Sequence, residues 1–450
     1  MRKEYIKPGV PFDPSRFTFS YAWVILGVGI IGFVMSAPGQ TIGVSSFTDY
    51  LIEDYELTRN QLSMAYMGGT LISGLLVSRA GKLYDIYGAR IVGILSAVMI
   101  GLVLVYLTRL DFLASSISHT LPAVNKTVIT IVLSIIGFFT LRFFGQGMLT
   151  MTSRNMIMKW FENRRGLANG FLGVFVAFSF SIAPQIFNGG ISAVGWRDTW
   201  VITALIVGIG VSLLIFVFYR DNPKQCKCYP DGTKKDLSGE KTGSKQRLKD
   251  FTLKEALKTY SFWVFNLSLA MHALIITALT FHIASIFEVA GMSQEKAVSV
   301  FLPGSIISIV LNFGSSWLSD FTKLKYLLIV LLTGLFVSLL SIILLKSVPA
   351  GYWMVIIGYG ISMGLFSVLS AVTWPRFFGI GNLGSISGYA LGWAVVASSI
   401  GPYFFSLSYD FTSRYTTSAL ICLGIVFVLI ILSFKAENVN RESETEIEIQ

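Results

Sequence analysis

Long apolar runs alternate with short polar stretches along almost the whole 450-residue chain. A helix needs about 20 predominantly apolar residues to cross a bilayer. By this criterion the pattern predicts twelve transmembrane helices, with no intervening segment long enough to form a soluble domain. The predicted spans are 20–48, 62–79, 91–109, 127–151, 165–188, 198–219, 260–288, 297–318, 325–346, 351–373, 385–408 and 415–435.

The amino-acid composition is typical of an integral membrane protein. Hydrophobic residues make up 53% of the chain and charged residues 13%, and the mean hydropathy is +0.67. Because soluble proteins carry about 25% charged residues, the deficit argues against a soluble enzyme and the apolar content argues against disorder. The sequence therefore predicts an all-α, multi-pass membrane protein. A cleavable signal peptide is not expected, and the three cysteines provide no disulfide framework.

The basic residues predict the orientation in the membrane. If the N-terminus is cytoplasmic, 27 of the 35 Lys and Arg residues fall on the cytoplasmic side and seven on the outer side. This asymmetry follows the positive-inside rule, so both termini are predicted to be cytoplasmic, in a plasma or inner membrane. Because the net charge of +10 is spread between apolar runs, it predicts topology and not nucleic-acid binding. We expect a monomer.

A polar, basic segment divides the chain into two sets of six predicted spans. We predict an N-terminal six-helix half (1–219), a cytoplasmic basic linker (220–259), a C-terminal six-helix half (260–435) and an acidic cytoplasmic tail (436–450). A short surface helix is predicted at 253–257. The halves share a motif of a leucine, an aspartate and a base, which consists of Leu83, Asp85 and Arg90 in the first half and Leu318, Asp320 and Lys325 in the second. Such a repeated motif is typical of transporters whose two halves are structural repeats.

The first copy of this motif also carries a family resemblance. The stretch GKLYDIYGAR (81–90) is similar at every defining position to the G-x-L-x-D-x-x-G-x-R motif between helices 2 and 3 of the major facilitator superfamily. The resemblance covers nearly the whole chain and implies two six-helix halves related by pseudo-two-fold symmetry. Within the superfamily, the chain looks most like the monocarboxylate and oxalate–formate porters. That finer likeness rests on Tyr21-Ala22-Trp23, KWFENRRGLANG (159–170) and GSISGYALGWAVVASSIGP (384–402).

The motif residues have a physical rationale as a gate. Gly81 and Gly88 let helix backbones approach closely, and Asp85 is a suitable partner for the positive end of a helix dipole. Arg90 is placed to pair with cytoplasmic acids or carbonyls. Asp320 and Lys325 are the corresponding candidates in the second half. The alternative is an ordinary charged loop that only sets the topology.

One permanent charge, Arg142, falls inside a predicted span. A charge at mid-bilayer costs about 2.5–3.5 kcal/mol on insertion scales, so the side chain should face a cavity or a partner. One hypothesis is that Arg142 attracts an anionic substrate or tunes a proton site. The other is that it bonds neighbouring backbone carbonyls in a structural role.

Other polar residues in the spans are weaker candidates for substrate binding or coupling. His272 and His282 lie on one predicted helix, about 15 Å apart along its axis, so they are not expected to act on one small group. Gln40 follows Pro38-Gly39, where the loosened helix should free carbonyls. The remaining candidates are Asn169, Gln185 and Asn312. The sequence shows no catalytic, cofactor or metal-binding motif, so neither an enzyme nor a cofactor is predicted.

These features predict a secondary active transporter that moves a small organic solute by alternating access. The single arginine, the lack of acids in the predicted spans and the family resemblance point to an organic anion such as a monocarboxylate. Proton symport through His272 is a hypothesis. The alternatives are a multidrug or metabolite efflux antiporter, and a non-transporting receptor built on a transporter fold.

Overall fold

The computed structural model describes residues 7, 9–120, 122–232 and 249–440. Most of the acidic tail and the middle of the predicted linker lie outside these residues. Within them the chain is helical, with no β-strand. The α-helices are α1 Tyr21–Val34, α2 Thr41–Ser45, α3 Thr48–Asp54, α4 Arg59–Thr108, α5 Leu110–Thr120, α6 Lys126–Arg142, α7 Thr150–Trp160, α8 Arg165–Val194, α9 Trp196–Leu205, α10 Ser212–Phe218, α11 Leu253–Ala256, α12 Tyr260–Val289, α13 Gln294–Val298, α14 Phe301–Ser319, α15 Leu324–Leu344, α16 Ala350–Phe378, α17 Leu383–Thr412 and α18 Thr416–Ser433.

The described helices account for twelve membrane crossings. Ten continuous helical segments are long and apolar enough to span a bilayer, and one of them, α4, is long enough to cross twice. The interrupted first segment, which begins with α1, supplies the remaining crossing. The protein is therefore an all-α, multi-pass integral membrane protein, as the hydrophobic pattern predicted.

The chain clusters into two compact units. The first comprises Met1–Glu162, Phe175–Glu240 and Ser387–Gly392, and the second comprises Asn163–Val174, Lys241–Ile386 and Trp393–Gln450. In the first, α4 packs along α6 and the segment from α9 to α10. In the second, α16 packs against α14 and α15, and α15 also packs against α18. The domain boundaries at 219 and 260 stay a prediction.

The segment between the second and third predicted spans is not the expected loop. The helix α4 continues through Lys82 and Asp85, and its only non-helical residue is Gly88, with φ +81° and ψ 174°. Glycine adopts this positive φ without the strain that a side chain would cause. Lys82 and Asp85 therefore lie on the helical turns just before the kink at Gly88, and Arg90 lies just after it.

Two other predicted spans have different limits. The fourth, predicted to end at 151, continues through α7 to Trp160, so Arg154 and Lys159 are helical. The expectation of a single charge within the helices was therefore wrong. The first, predicted as 20–48, is interrupted after α1 by a 3-10 turn, Ala37–Gly39. Pro38 has no backbone N–H to donate to the preceding turn, which explains the break.

Candidate functional site

The break in the first span brings backbone polar groups next to α6. Gln40, which follows the 3-10 turn, is extended, with φ −91° and ψ 160°. The next helix, α2, begins at Thr41. The carbonyl oxygen of Gly39 accepts a hydrogen bond from Nη1 of Arg142, with the two atoms 3.2 Å apart. The carbonyl of Gly39 is open to this contact because the chain is extended at Gln40 and does not continue as a helix there.

Close backbone packing lets the arginine reach the break. Arg142 ends α6 and is followed by a π-helical segment, Phe143–Leu149, in which Gly145 faces Gly39. A Cβ atom on either glycine would lie 2.7 Å from the Cα of the other. A larger residue at either position would push the two backbones apart, because such a separation is well inside van der Waals contact.

Arg142 is surrounded by neutral groups. Its Nη1 lies 3.4 Å from Oγ1 of Thr41, and its guanidinium carbon lies 5.4 Å from the centre of the Tyr66 ring. Tyr66 in turn donates its hydroxyl to Thr41 at 3.0 Å. The arginine is 4% exposed, and its Nε has no hydrogen-bond partner among the described residues. No described carboxylate forms an ion pair with it, so its positive charge is not neutralised there.

Of the other predicted site residues in the first unit, Gln40 is adjacent in sequence to two residues that contact Arg142. Gln40 is partly buried between two of the residues that contact Arg142, Gly39 and Thr41, and its Nε2 donates to Ser36 at 3.1 Å. Gln185, on α8, is exposed and does not belong to this cluster. We refer below to Gly39, Gln40, Thr41, Tyr66 and Arg142 as the helix-break cluster.

The two histidines on α12 have different surroundings. His282 is satisfied, because its Nε2 lies 2.9 Å from the Pro402 carbonyl oxygen and its Nδ1 lies 3.4 Å from the Tyr415 hydroxyl. His272 stacks face to face on Phe366 with ring centroids 4.2 Å apart, beside the backbone of Ser362. Neither ring nitrogen of His272 makes a hydrogen bond of normal geometry among the described residues. Of the two, His272 has the imidazole that is available for a further partner.

Asn169 and Asn312 both belong to the second unit. Asn169 donates from Nδ2 to the hydroxyl of Ser316 at 3.2 Å, and Asn312 donates to the Gly364 carbonyl at 3.3 Å. Each side chain is buried, and its Oδ1 has no partner among the described residues. The Nδ2 group of each asparagine thus links two helices, while its Oδ1 atom remains available as a hydrogen-bond acceptor.

The predicted gating residues of the first unit lie around the kink in α4. Asp85 and Arg90 are both nearly buried, and Gly81 is packed within the helix. After Gly88, the amide of residue 89 donates to Oδ1 of Asp221 at 3.1 Å. Nε of Arg90 donates to the carbonyl of Tyr219 at 2.9 Å, which ties the kink to the end of α10.

The second unit repeats part of this arrangement. Lys325 donates to the carbonyl of Phe434 at 3.1 Å, and Phe434 follows the last residue of α18 as Tyr219 follows the last residue of α10. Asp320 accepts from the amides of Gly166 at 2.8 Å and Leu167 at 3.2 Å, in the first turn of α8. A carboxylate at this place stabilises the unpaired amides and the positive end of the helix.

Two residues of the candidate site, and a third elsewhere in the first unit, were not singled out from the sequence. Thr41 and Tyr66 contact Arg142, but hydropathy gives no sign that distant spans will meet there. Arg154 lies beyond the predicted end of the fourth span at 151, yet its guanidinium carbon lies over the ring of Phe33 in α1, 5.2 Å from its centre. The helical spacing of MTSRNMIMKW (151–160) was the available signal for the extension of this helix.

Comparisons with known proteins support the fold and the family. The sequence model of the Major Facilitator Superfamily matches residues 17–402. A proton:xylose symporter, XylE, is 16% identical with a TM-score of 0.61, and the alignment covers 93% of this chain and 98% of that one. The human organic anion transporter MFSD10 (TETRAN) is 12% identical with a TM-score of 0.59, covering 92% and 99%.

A search of curated proteins returned no match. The structural similarity, at these identities, shows the shared fold and not a shared substrate. The family match covers well over half of the chain and rests on the sequence itself. This protein therefore belongs to the Major Facilitator Superfamily and is a transmembrane transporter, not an enzyme.

Proposed function

We propose that this transporter moves a small organic anion, such as a monocarboxylate, by secondary active transport with alternating access. The observation that carries the proposal is Arg142, which is buried among neutral groups and forms no ion pair with a described carboxylate. A negatively charged solute would supply the missing counter-charge. Transport in general follows from the family, whereas the anionic solute is the proposal.

The partners of Arg142 disperse its charge without cancelling it. A carbonyl, a hydroxyl and an aromatic ring are all neutral, and each offers an attraction much weaker than that of a carboxylate. The Nε donor also lacks a partner among the described residues. Because hydrogen bonds to a charged group contribute about 1.5–3 kcal/mol, an anion beside the guanidinium would be held strongly.

A purely structural role for Arg142 is the competing explanation. Its bond to Gly39 would by itself hold the broken first span against α6. The two explanations differ in what they require of the side chain: a structural arginine acts through the fold, whereas an anion-binding arginine acts on solute affinity even when the fold is intact. Experiments on a folded variant therefore separate them.

The fold neighbours leave the solute open. One carries xylose with a proton and another carries organic anions, on the same fold. The proposal therefore depends on the helix-break cluster and on the likeness to monocarboxylate and oxalate–formate porters, not on these two proteins.

Proton symport through His272 is a second part of the proposal. The imidazole is buried on α12, stacked on Phe366, and its nitrogens make no hydrogen bond of normal geometry among the described residues. Histidine is the side chain whose ordinary pKa suits proton exchange near neutral pH. His282 is less suited to this role because both of its nitrogens have partners.

Uptake into proteoliposomes tests the proposed solute class. The panel contains short monocarboxylates, a dicarboxylate, a sugar and a hydrophobic cation, each supplied with and without an inward proton gradient. We expect the wild-type protein to accumulate monocarboxylates, and Arg142→Gln to reduce their uptake by about tenfold or more. Arg142→Lys, which keeps the charge, should retain more uptake than Arg142→Gln.

The matched control is Arg59→Gln, because Arg59 is an exposed arginine that pairs with Asp49 on the surface. It should leave uptake unchanged. Transport of the cation alone would support an efflux antiporter instead, and no flux of any solute would support a receptor. Either result would overturn the proposed anion transport.

A further inference from the structure

Three buried polar side chains lie along the interface between α12 and α16, which both belong to the second unit. Asn266 and His272 are on α12 and Thr373 is on α16, and they are 1%, 2% and 0% exposed. The two polar atoms of Asn266, the two ring nitrogens of His272 and the hydroxyl of Thr373 make no hydrogen bond of normal geometry to any described residue. Because folded proteins satisfy nearly all of their buried polar groups, these five atoms on one helix pair need an explanation.

Ring contacts fix how the two helices face each other. His272 stacks on Phe366 with ring centroids 4.2 Å apart, and the ring of Phe265 lies 5.0 Å from that of Phe377. Thr373 is seven residues after Phe366 and four before Phe377, so helical spacing places all three on one face of α16. Thr373 therefore faces α12 between these two ring contacts.

Asn266 lies near the depth of Thr373 along this interface. It is one helical turn from Phe262, whose ring lies 5.4 Å from that of Trp374, the neighbour of Thr373 in sequence. Asn266 is also six residues from His272, which corresponds to about 9 Å along the helix axis. Because a hydrogen bond between oxygen atoms spans about 2.8 Å, about three water molecules would connect the imidazole to this depth.

The chemistry of the interface suits water. Buried water molecules typically make about three hydrogen bonds each, to polar groups that would otherwise be unsatisfied. The interface also offers a backbone acceptor, because Pro375 lies inside α16 and has no N–H to donate to the carbonyl of Ala371. Asn266 and Thr373 carry no charge, so they can hold water without fixing an ion.

The interface is closed towards the predicted cytoplasmic ends of the two helices. There the ring of Phe265 packs on Phe377, and the ring of Phe262 packs on Trp374. These two ring contacts lie between the buried polar side chains and the ends of the helices at Tyr260 and Phe378. They therefore separate the polar groups from the solvent at that end.

We propose that the α12–α16 interface holds a short chain of buried water molecules that carries the proton between His272 and the cytoplasmic end. This rests on the proton symport proposed above. The imidazolium gives one N–H hydrogen to the oxygen of the first water, and each water passes one of its own hydrogens to the next, so every oxygen loses one hydrogen as it gains one. Asn266 and Thr373 position the waters. The ring contacts interrupt the chain until they separate, and the last water then gives its hydrogen to the solvent.

The first experiment asks whether water is present, by radiolytic hydroxyl-radical footprinting of the full-length protein. Radicals formed from buried water oxidise the side chains beside it. We expect oxidation of Phe265 although its side chain is 0% exposed. Asn266→Leu and Thr373→Val should abolish this oxidation, because each removes groups that hold the water. Phe47 is the control, since it is equally buried but packs among aromatic rings of the first unit, and it should not be oxidised.

The second experiment compares two rates of monocarboxylate transport in proteoliposomes. Uptake driven by a proton gradient needs release of the proton, whereas solute exchange at equal pH does not. Asn266→Leu and Thr373→Val should each slow driven uptake by about tenfold, because a hydrogen bond contributes about 0.5–1.5 kcal/mol, and should leave exchange unchanged. A merely structural role would lower both rates.

The matched control variant is Thr152→Val. The hydroxyl of Thr152, on α7, is also buried and has no partner among the described residues, but it lies in the first unit. This variant should leave both rates unchanged. Either test variant decides the result if the other does not fold, and Thr373→Val keeps the shape of the side chain.

The outcomes separate this proposal from the proposed symport. Oxidation of Phe265 that does not exceed that of Phe47 would refute the water chain, whatever ion drives transport. The expected oxidation with unchanged driven uptake in both variants would refute the proton path and leave the symport standing. Wild-type uptake that is indifferent to pH would overturn the symport and the path together.

Discussion

Nη1 of Arg142 lies 3.2 Å from the carbonyl oxygen of Gly39, the residue at which the first membrane span is broken. A proline-induced break normally leaves a carbonyl without its helical partner, and a buried arginine normally requires a counter-charge or carbonyl partners. Here the two groups form a hydrogen bond with each other. The arginine satisfies the carbonyl, but the carbonyl does not neutralise the arginine. This asymmetry is why we propose that an anion completes the cluster.

The close approach of Gly39 and Gly145 can be tested by adding one methyl group. Gly145→Ala would place its Cβ 2.7 Å from the Cα of Gly39, so either the backbones separate or the π-helical segment shifts. We expect a destabilisation of about 1–3 kcal/mol, seen as a lower midpoint of thermal unfolding in detergent. Gly27→Ala is the control because nothing lies within 4 Å of its added Cβ. Equal midpoints for the two variants would show that the contact is not tight.

The carboxylate of Asp320 should stabilise the start of α8. Its two oxygens accept from the amides of Gly166 and Leu167. Asp320→Asn removes the charge and one acceptor, so the first turn should lose about 0.5–2 kcal/mol of stabilisation. Amide hydrogen exchange at 165–170 would report this as faster exchange. The exposed Asp49→Asn is the control, and unchanged exchange in Asp320→Asn would contradict the capping role.

Proton coupling through His272 predicts a change in the pH dependence of uptake. In the wild-type protein, uptake of a monocarboxylate should rise as the external pH falls, because a bound proton accompanies the solute. His272→Gln should still exchange solute across the membrane but should lose this pH dependence. His119→Gln, at an exposed position in α5, is the control and should behave as wild type. A wild-type rate that is indifferent to pH would rule out the coupling.

Asp111 contributes to a cluster that should weaken in acid. Burial is the largest single influence and raises its pKa, but hydrogen bonds from Arg197, at 3.1 and 3.0 Å, together with the charge of Arg197 and the backbone amide of Phe112, outweigh burial and hold the pKa below its ordinary value of 3.8. A depressed pKa in the folded state stabilises the fold above the ordinary value, and that contribution is lost as the pH falls through the folded value. Asp111→Asn should therefore lower the unfolding midpoint at neutral pH, and by less as the pH approaches and passes 3.8. A difference that is independent of pH would contradict this assignment.

Much of the fold could be predicted from the sequence, because crossing a bilayer requires long apolar helices. The same signal misplaced the limits of helices that leave the hydrocarbon core. Hydropathy placed a loop at Lys82 and Asp85 and another at Arg154, although the chain stays helical at all three. Polar residues outside the hydrocarbon core of the membrane are compatible with a helix as well as with a loop. Whether the chain stays helical there therefore depends on tertiary packing, which hydropathy does not report.

The candidate site was predictable only in its parts. Pro38 indicated a broken helix, and Arg142 indicated a buried charge, each from local sequence. That these two meet, with Tyr66 beside them, depends on the packing of three separate helical segments. No spacing in the chain encodes that contact. The partners of His282 likewise come from α17 and from the turn before α18.

The most direct test of the account is anion binding to purified protein with and without the charge at position 142. Thermal unfolding of wild type and Arg142→Gln would be followed while short monocarboxylates are titrated, with a sugar and a hydrophobic cation as comparison ligands. We predict that monocarboxylates stabilise the wild-type protein and that Arg142→Gln, still folded, needs about tenfold more ligand or shows no response. Equal stabilisation of both proteins by the same anion would contradict the central claim.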